Sequence, residues 1–198
     1  MAIKKPDQGA GQNIIVISAH YDADVYGAVI DNATGVAVLL ETARAIANTS
    51  CKTEVRFVLF SGEEEGLTGS RCYVSRLADE EKKNILAAIN LDYLGVKGNN
   101  DLIIATLDGS ENRASSLFQT FIQSKELQVV KAPPSDYVSF ARAGIPAVSL
   151  GQSPMPIKME GKYTTEEDEI KKLIQVENSL LDEERLKAAF HLVMSALN

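Results

Sequence analysis

Apolar residues along the chain gather into short runs, separated by stretches of helical periodicity. Asn13 to Ser18 reads Asn-Ile-Ile-Val-Ile-Ser, a β-branched run of the kind that fills a strand buried on both faces. Two further runs, Glu54 to Phe60 and Ala87 to Leu91, predict strands of the same character; Leu102 to Thr106, Leu127 to Val130 and Ile145 to Leu150 predict others. Between them, Val36, Leu39, Leu40, Ala43 and Ile46 recur at helical spacing and predict a helix over Gly35 to Ala47, with Asn32 or Thr34 as its cap. Helices are also expected over Gly66 to Leu77, Asn112 to Lys125 and Ser135 to Ala143. A terminal amphipathic helix from Asp182 would bury Leu186, Ala189, Phe190, Val193 and Leu197. This alternation predicts an α/β fold, a three-layer α/β/α sandwich with a mixed, largely parallel central sheet.

With 198 residues, 45% of them hydrophobic, the chain has enough material for one substantial core, so a single domain over residues 1–198 is expected. Twenty Lys and Arg against 27 Asp and Glu leave a net charge of −7, which argues against nucleic acid and anionic membranes as partners. No uncharged run approaches the ~20 apolar residues of a membrane span. Nor does an apolar leader segment follow Met1 to Gln12, which favours the cytoplasm over secretion. Cys51 and Cys72 lack the spacing of a zinc ribbon or redox pair and read as free thiols. With only two histidines in the chain, any metal site must be built mostly from carboxylates.

Ligands of open α/β sheets bind where strands end, because loops and helix N-termini converge there. Three successive apolar runs finish on metal-competent residues: His20, then Glu63 and Glu64, then Asp92. Unpaired carboxylates at the ends of buried strands are costly, and a shared cation is the economical explanation for their recurrence.

The motifs around these residues are specific. Ser18-Ala19-His20-Tyr21-Asp22, Gly27-Ala28-Val29-Ile30-Asp31-Asn32-Ala33-Thr34-Gly35, Gly62-Glu63-Glu64-Glu65-Gly66-Leu67-Thr68-Gly69-Ser70, Asn90-Leu91-Asp92 and Ser135-Asp136-Tyr137 occur in this order, with Ala143-Gly144-Ile145-Pro146 after them. Together they resemble the M28 family of zinc aminopeptidases. The resemblance implies a zinc-exopeptidase fold and two zinc ions bridged by Asp31, one completed by His20 and Asp92, the other involving Glu64. It further implies Glu63 as general base and Asp22 as the carboxylate that orients His20. The residue types suit that chemistry: imidazole and carboxylate bind zinc, the metal lowers the pKa of a bound water to about 7, and Glu63 beside a metal-binding neighbour can carry the proton. Tyr137 is a candidate for substrate or oxyanion contact, with a packed core tyrosine as the alternative.

Two departures from the family pattern stand out. Where the family places a histidine in a Tyr-His-Thr-x-x-Asp block, this chain has Tyr163-Thr164-Thr165-Glu166-Glu167-Asp168, and a neutral hydroxyl at Thr164 is a poor zinc ligand. The expectation is one competent zinc site, with the second weak or dependent on Glu160, Glu166, Glu167 or Asp168. His191 flanks the stripe of the terminal helix and reads as a structural or surface residue. The other departure is at the front, where only twelve residues precede Asn13, so a shorter sheet with an open or partner-covered edge is expected. The leading function is metal-dependent hydrolysis of the N-terminal amide of a peptide. Its competitors are a peptide- or metal-binding domain with weakened turnover, and a related amidase or acyltransferase chemistry on the same scaffold. Substrate preference and oligomeric state are not set by these motifs.

Overall fold

A computed structural model describes residues 1–8, 11–23, 28–98, 101–153 and 167–197. Among them, seven strands form one sheet: β1 (Ala2–Lys4), β2 (Ile14–His20), β3 (Glu54–Phe60), β4 (Ile85–Leu91), β5 (Asp101–Thr106), β6 (Gln128–Lys131) and β7 (Ala147–Ser153). Their order across the sheet is β1-β3-β2-β4-β7-β5-β6. The β2, β3, β4 and β7 neighbours pair in parallel, as do β5 and β6, whereas β1 on β3 and β5 on β7 run antiparallel.

Every residue of β2 is buried, as its unbroken apolar run requires of a central parallel strand. Side-chain alternation splits it between two cores. Ile15, Ile17 and Ala19 join the core beneath α1 (Thr34–Ile46) and the terminal helix, while Ile14 and Val16 join the one beneath α2 (Thr68–Arg76) and the short helix Tyr137–Arg142. The remaining helices are α3 (Asp79–Asn84), α4 (Gln119–Gln123), α5 (Tyr137–Arg142), α6 (Glu167–Leu180) and α7 (Glu183–Ala196). Helices on both faces of the sheet complete the three layers.

Two expectations need correction, and one element was not foreseen. The first twelve residues contain a strand: β1 pairs with β3 from Ala2 opposite Phe57 to Lys4 opposite Val55 and forms the edge of the sheet. Three residues ending on a lysine are too few to show any periodicity, and the pairing comes from β3. The buried face of α1 is Gly35, Val38, Leu39, Thr42 and Ile46, and Leu40 is 55% exposed. Thr42 turns inward because its hydroxyl donates back to the Val38 carbonyl at 2.8 Å, so a polar residue occupies the apolar stripe. The segment expected to be one helix from Asn112 divides into a tight turn at Ser115–Phe118 followed by α4, beginning where Asn112 Oδ1 accepts from the amides of Ala114 and Ser115.

Candidate metal centre

The carboxyl ends of β2, β3 and β4 deliver the candidate residues to one place. His20 ends β2 and is 1% exposed. Its Nδ1 lies 3.0 Å from the backbone carbonyl of Asp22, to which it donates, and this leaves Nε2 facing Asp31 Oδ1 at 3.0 Å and Asp92 Oδ1 at 3.4 Å. The orienting contact is thus the main-chain oxygen of Asp22. Its carboxylate is 3.8 Å from the ring and instead accepts from the Glu64 amide at 3.2 Å.

Asp31 sits in an irregular turn, Val29–Ala33, where Asp31 and Asn32 leave helical geometry, and the peptide bond between them is cis. The turn is tied to the sheet by Asn32, whose Nδ2 donates to the Leu91 carbonyl at 2.8 Å and whose Oδ1 accepts from the Gly35 amide. A Cβ at Gly35 would stand 2.5 Å from that same Leu91 oxygen, so α1 can start this close to β4 only on a glycine. Glu63 and Glu64 lie on the turn after β3. It closes because Gly62 adopts φ +73° and the Glu63 carbonyl accepts from the amides of Gly66 and Leu67, each at 2.9 Å.

The donor atoms of His20, Asp31 and Glu64 lie within 4.8 Å of one another. Glu64 thus lies in one cluster with His20 and with Asp31, the residue expected to bridge two ions, and Asp92 Oδ1 also stands 3.4 Å from Nε2. One imidazole among carboxylates is a donor set suited to zinc. Thr164, with Glu160 and Glu166, lies outside the described residues. His191 is exposed on α7, its ring 5.5 Å from that of Phe190, away from this centre.

Electrostatics follow from crowding. Burial opposes a charge on His20, but hydrogen bonding to Asp31 and Asp92 outweighs it and raises its pKa to about 11. Burial, and after it the charge of Asp92, pushes the Glu63 carboxyl up to about 8. Asp136, 0% exposed, is pushed by burial to about 6. Neither of its carboxylate oxygens has a partner in hydrogen-bonding geometry among the described residues. Nearby Ser70 offers only partial compensation, because its hydroxyl is shared with Ser139 at 2.8 Å and the Leu67 carbonyl at 3.3 Å.

A cleft of about 210 Å³ opens onto these groups, lined by Asp31, Glu63, Glu64 and Asp92 together with the apolar Ile103, Ala105, Ala132 and Pro133. Two further lining residues, Ser135 and Ser149, belong to a buried polar network. Asn90 accepts from Ser18 at 3.1 Å and donates to Ser135 at 2.9 Å and Ser149 at 3.2 Å. Tyr137 does not reach the cleft lining; it is 2% exposed within the core that holds Val138 and Phe140. Sequence reasoning gave no role to Asp136, Asn90 or Gln152. An asparagine inside the apolar run of β4 was the one available signal for the network.

Comparison with known proteins agrees with the geometry. The aminopeptidase YwaD of Bacillus subtilis is 32% identical over 204 residues, an alignment covering 100% of this chain and 43% of the relative. Aminopeptidase Y of Saccharomyces cerevisiae is 31% identical over 148 residues, covering 70% of this chain and 27% of the relative. Among solved structures, BSAP, a zinc aminopeptidase from Bacillus subtilis, superposes with a TM-score of 0.79 at 33% identity over 98% of this chain and 47% of that one. An aminopeptidase from Aneurinibacillus sp. strain AM-1 gives 0.78 at 34%, over 98% and 45%. The chain therefore spans less than half the length of these relatives. The model of peptidase family M28 matches residues 1–182, and the chain belongs to that family.

Proposed function

We propose that this chain hydrolyses the amide bond at the N-terminus of peptides, using zinc held at the strand ends and Glu63 as general base. The observation that carries this reading is the convergence of His20 Nε2, Asp31, Glu64 and Asp92 beside Glu63, a carboxyl that belongs to the same cleft. Relatives named as zinc aminopeptidases support the same reaction. The cleft, smaller than the ~300–1,000 Å³ of sites for larger ligands, suits a single residue.

Zinc bound there would supply a Lewis acid for the scissile carbonyl and would acidify the attacking water. His20 and the carboxylates of Asp31 and Asp92 would hold the ion, and Glu64 would add a donor from the neighbouring turn. Glu63, one residue away, stays free to take the proton from the water and pass it to the leaving amine. Asp22 keeps the His20 ring in the tautomer that leaves Nε2 for the metal. Thr164 in place of the family histidine favours one firmly held ion over two, and it also motivates the second reading, a zinc- or peptide-binding domain without turnover.

Hydrolysis of aminoacyl-p-nitroanilides by zinc-reconstituted protein, alongside metal analysis of wild type, E63Q and T164H, tests this. The expected result is turnover lowered by a factor on the order of 10²–10⁴ in E63Q with zinc content unchanged, and a second ion only in T164H. Zinc-loaded wild type without turnover would support the binding domain. Two tightly held ions per wild-type chain would overturn the one-ion assignment.

A further inference from the structure

Past Leu91, β4 leaves the sheet, and the segment that carries Asp92 turns through Tyr93 (φ 57°) and Gly95 (φ 75°). Tyr93 is 9% exposed and lines the cleft. A tyrosine in the left-handed region persists only where its surroundings hold it there. Part of that restraint comes from one side chain. Gln152, near the end of β7 and 2% exposed, accepts from the Val96 amide at 2.8 Å and donates to the Val96 carbonyl at 3.2 Å. With one carboxamide it makes the two hydrogen bonds a neighbouring strand would have made, after the β4–β7 ladder has ended.

Val96 is itself a junction. It is 1% exposed and belongs to a small core with Ile30, Tyr93, Leu180 and Leu181. Ile30 precedes Asp31, and Tyr93 follows Asp92. Val96 also bridges to Leu181 in antiparallel fashion, and the amide of Asp182 donates to the Gly95 carbonyl at 2.7 Å. Backbone restraint of Val96 by Gln152 is thereby transmitted through packing to one carboxylate and along the chain to the other.

We propose that Gln152 is a positioning residue for the metal centre, fixing through Val96 the separation of Asp31 from Asp92. The inference rests on the zinc reading above. It extends that reading to a residue of the cleft lining that acts on the two carboxylates through Val96.

Calorimetric zinc titration of metal-stripped wild type, Q152M and Q152N tests it, with urea midpoints recorded on the same samples. Q152M keeps the length and volume of the side chain but cannot form either bond to Val96. Q152N keeps an amide too short to reach, which supplies a polar variant if the methionine does not fold. The expected result is zinc affinity at least tenfold weaker in each folded variant, with faster hydrogen exchange at the Val96 amide. Affinity within twofold of wild type in either folded variant overturns the role of Gln152. Absence of zinc binding by the wild type overturns the metal reading itself, and the positioning role with it.

Discussion

The two ends of the central strands treat charge in opposite ways. At the amino end of β3, Arg56 is held by Glu54 at 2.7 Å and Glu81 at 3.0 Å, and Lys5 also reaches Glu54 at 2.8 Å, so two cations meet two anions. Burial raises the Glu54 carboxyl, but its bonds to Lys5 and Arg56 prevail and hold it below its ordinary pKa; the Ala78 amide and Arg56 lower Glu81 likewise. At the carboxyl end, Asp22, Asp31, Glu63, Glu64, Asp92 and Asp136 surround the single imidazole of His20. Glu63 and Asp136 are there held above their ordinary pKa values. A balanced cluster explains itself as structure. An unbalanced one, built from strands that could equally have ended on neutral residues, is what the proposed zinc site would require.

The contrast can be broken most directly at His20. In metal-stripped protein its imidazolium is the main compensation for the carboxylates, and H20A is expected to cost about 3–5 kcal/mol, the penalty for leaving buried charge unpaired. Because the folded pKa of about 11 lies above the ordinary 6.5, this stabilisation is complete below pH 6.5 and is lost as pH rises through 11. Urea unfolding at pH 6 is the measurement, and a loss under about 1 kcal/mol would show that the carboxylates are not coupled to the ring.

Asp136 gives the next largest effect, with the same pH sign in a lower window. Its carboxyl moves from 3.8 to about 6 on folding, so the native chain binds a proton more tightly than the unfolded one, and stability falls as pH rises across that window. Two pH units correspond to about 3 kcal/mol. D136N, which cannot ionise, should exceed wild type by up to this amount at pH 7, with the gap closing near pH 3.5. A gap that does not vary with pH would contradict the burial of an ionised Asp136.

At the opposite end, R56M should cost about 1–2 kcal/mol, less than a fully buried pair because Lys5 continues to compensate Glu54. Lowered carboxyl pKa values mean that the stability of this cluster is present above the ordinary carboxylate range and is lost as pH falls through it. Zinc affinity should not change in R56M, and a measurable change would show that the two ends are coupled. The smallest effect belongs to the exposed Arg44–Glu41 pair on α1, where R44Q should leave both the thermal midpoint and zinc binding unchanged.

Much of this contrast was legible in the chain itself. β2, β3 and β4 announce themselves because apolar runs long enough to be buried end on His20, Glu63-Glu64 and Asp92, and strand ends in such sheets converge. What escaped depends on partners distant in sequence or on main-chain atoms. Nothing along the chain connects Gln152 to Val96, 56 residues away, and β1 exists through its register with β3. The orienting oxygen at Asp22 belongs to the backbone, which every residue carries, so its identity could suggest only the carboxylate. The rotation of the α1 face was hidden by Thr42, a polar residue that becomes buried by bonding to its own helix.

Asp22 joins two separate stretches of chain with different atoms, its carbonyl on the His20 ring and its carboxylate on the Glu64 amide. Any opening of the turn after β3 therefore pulls on the residue that aligns the imidazole at the end of β2. Donor and base segments are bound into one local unfolding unit, so thermal fluctuation disassembles this centre as a whole rather than one group at a time.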